Sequence, residues 1–164
     1  MVDYGKLIDE EKRQKDSAVS MIAAEKAREI ELLAWFRNVE IDLGEETAKA
    51  NEALKKRGVT EIVGPFHARD RQDRIELAFG NRNPACWLTL ESAPEAAKLS
   101  RIHVELFDDV GKSLGLKDYV IEGEATSLAA YKALVEGFPD HAAPVTTPEI
   151  AQEIVPAIIR GRFA

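Results

Sequence analysis

From residue 17 to residue 57 the chain has no proline, and Ala, Glu, Lys, Leu and Arg dominate. These are strong helix formers, so the run predicts one helix of about 40 residues, about 60 Å long at 1.5 Å per residue. Leu32, Phe36, Val39, Leu43, Ala50 and Leu54 recur at spacings that keep them on one helical face. Ile22, Ala23, Ala27, Ile30 and Ala34 extend an apolar surface upstream. Lys55, Lys56 and Arg57 followed by Gly58 match a helix ending, cations for the dipole and then a glycine stop. Gly44 is the weak point inside, costing about 1 kcal/mol relative to alanine. Residues 1–16 are mostly charged and are set apart as a frayed N-terminus ahead of one domain, 17–164.

After Gly58 the apolar period falls to two, the signature of a half-buried strand. Strands are expected at 59–68, 74–79, 85–91, 101–107 and 117–125. Charged or glycine-rich turns separate them at 69–73, 80–84 and 108–116, and a connection with one helical turn fits 92–99. Ser127 can cap a helix over 128–136. Thr147-Pro148-Glu149 starts another, with Ile150, Ile154 and Ile158 on one stripe and Pro156 set to kink or split it. Short turns between strands favour antiparallel pairing, and only helices are available to cover the oily face. The fold class is therefore α+β: a long N-terminal helix, an antiparallel sheet of four to five strands over 59–125, and two C-terminal helices over 127–162.

Composition removes several function classes. With 45% hydrophobic and 31% charged residues among 164, the chain is globular and long enough to bury a core without staples. Its net charge of −7 is spread over both halves, without the Lys/Arg clusters that release counterions from a phosphate backbone, so nucleic acid is not an expected partner. The longest apolar run in the N-terminal third, Leu32 to Phe36, falls far short of the roughly 20 residues that cross a bilayer, so no membrane association is expected. Cys86 is the only cysteine, which suits a reducing compartment, and the N-terminus lacks a signal core; the expected location is the cytoplasm.

No motif specifies a reaction. Val110-Gly111-Lys112-Ser113 matches the end of a phosphate-binding loop, but Leu106 stands where that loop needs its first glycine. His103-x-Glu105 matches a fragment of the zinc deaminases, yet those need a Pro-Cys-x-x-Cys downstream, and the single cysteine lies upstream. On a strand, however, His103 and Glu105 share a face, where Glu76 or Glu122 can join them as a metal or acid–base group. The competing reading is the solvated face of a half-exposed sheet, where alternating polar residues are expected, and it is preferred. His67 and His141 have no ligand partner at standard spacing, so no metal is expected, and no cofactor. Cys86, in an apolar strand, reads as an inert thiol. Arg69, Arg71, Arg74 and Arg82 cluster about two turns, with Asp70 and Asp73 cancelling much of their field. Trp87 is either core or, if its sheet face is open, the floor of a ligand cleft.

The expectation about function comes from size. The hundred or so residues after the helix make a body about 35 Å across, too small to shelter a 60 Å stripe. A homo-oligomer through the helix follows, with Trp35 and Phe36 as candidate anchors; the competing reading packs Phe36 on the protein's own sheet. The first reading is thus a protein-interaction or chaperone-like module acting as an acidic homodimer. The alternative is a small-molecule binder or enzyme with His103, Glu105 and Trp87 lining a pocket.

Overall fold

The computed structural model describes residues 1–68, 70–91, 100–122, 129–132 and 144–164, with the backbone alone at 24, 25, 28, 122, 129–132 and 144. Helix α1 spans Tyr4–Lys56, so the charged segment set apart as frayed is helical from its fourth residue. Lys, Glu, Arg and Gln are good helix formers, and Asp3 caps the start by accepting from the Lys6 amide at 3.2 Å. The helix runs unbroken through Gly44, which faces the ring of Pro65. It ends where Arg57 and Gly58 turn back onto the carbonyls of Leu54 and Lys55, with Gly58 at φ 67°.

Among the described residues seven strands follow: β1 Ile62–Ala68, β2 Arg71–Phe79, β3 Arg82–Glu91, β4 Ser100–Phe107, β5 Ser113–Glu122, β6 Ala129–Lys132 and β7 Pro144–Val145. They form one sheet in sequence order, every neighbouring pair antiparallel. Helix α2, Thr147–Arg160, closes the chain with Thr146 as its cap. The fold is α+β, with two departures from the periodicity. Residues 129–132 lie in a strand rather than a helix, because β5 offers a ladder from Tyr119 to Glu122 that outweighs local propensity; the cap expected at Ser127 and the helical turn at 92–99 lie outside the described residues. Pro156 neither splits nor ends α2. It cannot donate to the Gln152 carbonyl, but Ile150, Ala151, Ile154, Val155, Ala157 and Ile158 are all buried, and that burial holds the helix on the body.

Both helices lie on one sheet face. Leu32, Phe36, Val39 and Leu43 of α1 and the buried stripe of α2 share a core with Ile75, Leu77, Cys86, Leu88, Ile102, Val104, Leu106, Tyr119 and Ile121. The edge of β1 is tied to α1 by Asn51, whose side chain accepts from the Ile62 amide at 2.7 Å and donates to its carbonyl at 2.8 Å. Arg82 fastens the other end of the core. Its guanidinium donates to the carbonyls of Phe107 at 2.7 Å and Ile158 at 2.6 Å, joining β3, β4 and the last turn of α2.

Candidate functional site

Antiparallel register brings side chains distant in sequence into rows on the sheet face turned away from the helices. One row runs Arg74, Thr89, His103, Asp118, and the next Glu76, Trp87, Glu105, Leu116. His103 Nδ1 lies 2.5 Å from Asp118 Oδ1, both half-buried, and Arg101 approaches the same carboxylate at 3.8 Å. Arg74 donates from Nε to Thr89 Oγ1 at 3.3 Å and lays its guanidinium 4.3 Å from the centre of the Trp87 ring. Phe107 meets that ring edge-on at 4.7 Å. The indole Nε1 is buried and has no hydrogen-bond partner among the described residues.

Of the three residues expected at a ligand wall, His103 and Glu105 do share this face with Trp87. The carboxylate that His103 meets is nevertheless Asp118, while Glu105 stands one row on beside Trp87. The side chain of Glu122 lies outside the described residues. Asp118 was not singled out from the sequence, and Arg74 only as one of the arginines clustered about two turns, because only the strand register shows that they flank His103 and Trp87. Among the described residues no group of three or more His, Cys, Asp or Glu is arranged to hold a metal. His67 is on the helix side, with Nε2 2.6 Å from a carboxylate oxygen of Glu40; His141 and Arg69 lie outside the described residues. Arg71 pairs with Asp73 at 3.0 Å, and that hydrogen bond holds the Asp73 carboxyl below its usual range. Cys86 is fully buried, and desolvation pushes its thiol well above the usual value, away from the reactive thiolate.

A second surface lies on α1. Every residue from Met1 to Glu31 whose side chain is described is exposed, and packing against the body begins at Leu32. The overhang, residues 4–31, reaches about 42 Å beyond it. Trp35 and Phe36, expected as anchors between copies, face inward instead: they are 8% and 1% exposed and belong to the chain's own core. They occupy the same face as Leu32, Val39 and Leu43, which the sheet covers. The uncovered apolar residues are others. Ile8, Val19, Ile30 and Ile41 are 64%, 66%, 69% and 58% exposed and stand eleven residues apart. Eleven residues are about three helical turns, so the four lie along one line. Ile41 is two residues from both Val39 and Leu43, which are fully buried, so the line runs opposite the core face.

Among the described residues no helix is long and apolar enough to cross a membrane. No protein-family model matches the chain, and no curated protein or solved structure was found to match it.

Proposed function

We propose that the protein is an interaction module acting as an acidic homodimer in the cytoplasm, pairing through α1 and offering its outward sheet face to a protein partner. The observation that carries the reading is the line Ile8, Val19, Ile30, Ile41 on a helix that overhangs its body. A helix without tertiary contacts has only its propensity to hold it, and a row of exposed aliphatic side chains along such a helix gains burial when a partner packs on it. A second copy supplies a matching surface by symmetry. The outward sheet face adds Trp87 and Arg74, residue types over-represented among binding hot spots.

The test is the solution mass over a range of concentrations by analytical ultracentrifugation. The wild-type chain is expected at twice its chain mass, and the Val19→Lys/Ile30→Lys double variant at one. A wild type that stays monomeric at millimolar concentration removes the reading.

A small-molecule binder is the second reading, favoured by the His103–Asp118 contact beside Trp87 and by an indole N–H without a partner among the described residues. It requires Trp87 fluorescence to respond saturably to a ligand in a small-molecule screen, and to lose that response in His103→Ala.

A further inference from the structure

Resting on the homodimer reading, we infer that the two copies pair antiparallel along the Ile8–Ile41 line, centred midway between Val19 and Ile30, so that each arm tip packs on the outer side of the partner's α1. The eleven-residue spacing is the basis. A seven-residue repeat winds helices into a left-handed coil, whereas eleven residues overshoot three turns by about 20°, giving a shallow right-handed seam. Such a seam covers residues 8–41, about 50 Å. It therefore includes Ile41, which lies over the body and which the overhang alone does not explain.

Charge chooses the direction. Lys12, Lys26 and Arg37 fall on or beside the line. Parallel pairing in register stacks each of them on its own copy, three like-charged layers in one seam. Antiparallel pairing sets Ile8 against Ile41, Val19 against Ile30 and Lys26 against Ala23. The two layers where Lys12 meets Arg37 are bounded by Asp9 and Asp16, within a helical turn of Lys12. Opposed helix dipoles add to the preference. Ala23, Ala27 and Ala34, all exposed on this side, let the helices approach closely.

Cysteine cross-linking of the full chain tests this, since Cys86 is buried and does not compete. Ile8→Cys/Ile41→Cys is expected to oxidise to a covalent dimer, while Ile8→Cys and Ile41→Cys alone stay uncross-linked. Efficient cross-linking of either single variant shows a parallel pair and overturns the inference, leaving the dimer in place. A wild type that is dimeric by mass, with no cross-linking in the double variant, moves the interface elsewhere and overturns it too. A monomeric wild type ends both this inference and the reading beneath it. Both positions are exposed, so these substitutions leave the folded body intact.

Discussion

Among the described residues Cys86 and Tyr119 are buried ionisable groups displaced far from their ordinary values, and both act in the same direction. Burial raises each above its ordinary value, and for Tyr119 the hydrogen bond it donates to Glu153 raises it further. A group whose folded pKa exceeds its unfolded value stabilises the fold fully below the unfolded pKa. That contribution is lost as pH climbs toward the folded one. The native state is thus expected to weaken from about pH 9, when the thiol of the unfolded chain begins to ionise, and further above about 10 with the phenol. Urea midpoints measured from pH 7 to 11 should fall, and Cys86→Ala should flatten the first part of the fall. Iodoacetamide should label Cys86 only once the chain is unfolded. Burial of this thiol was legible from the alternation around it. The His103–Asp118 contact was not, since pairing partners in a sheet are set by register and Asp118 lies fifteen residues downstream.

At the level of elements, propensity located the long helix and its end, and period two located the first five strands. The failures have physical causes. The first turns of α1 carry no apolar stripe, so burial patterning says nothing about them, although capping and propensity suffice to make them helical. Strand β6 is four residues long and is held by its neighbour rather than by its own sequence. Two glycines divide along the same lines. A methyl group at Gly44 would sit 3.9 Å from Pro65, an ordinary contact, so Gly44→Ala should stabilise α1 by up to about 1 kcal/mol. At Gly64, φ is 111° and a Cβ would come within 2.9 Å of the Glu76 carbonyl oxygen. Gly64→Ala should cost roughly 1–3 kcal/mol, since the backbone must move. Chemical denaturation of both variants checks the opposite signs.

For the whole molecule, one helix carries a buried apolar face and, opposite it, a line of exposed aliphatic residues, and their contributions can be separated by measurement. Phe36→Ala opens a cavity in the shared core and should cost about 3–5 kcal/mol. Ile30→Lys, on the far side, should leave the stability of the dissociated chain within about 0.5 kcal/mol while lowering the solution mass. The sequence showed that the helix has more oil than one body can shelter. It did not show which aromatics face inward, because Trp35 and Phe36 fit either face until the position of the sheet is known.

The order of the strands has a further consequence for the chain as it is made. Each strand finds its neighbour next along the sequence, so the meander can zip up piece by piece behind the ribosome. Helices α1 and α2, by contrast, come from opposite ends of the chain and must meet over the same sheet face. Until α2 has been synthesised, part of the oily side of the meander stands open. That interval, rather than any step in the sheet itself, is when a nascent chain of this protein is most exposed to aggregation and most in need of a chaperone.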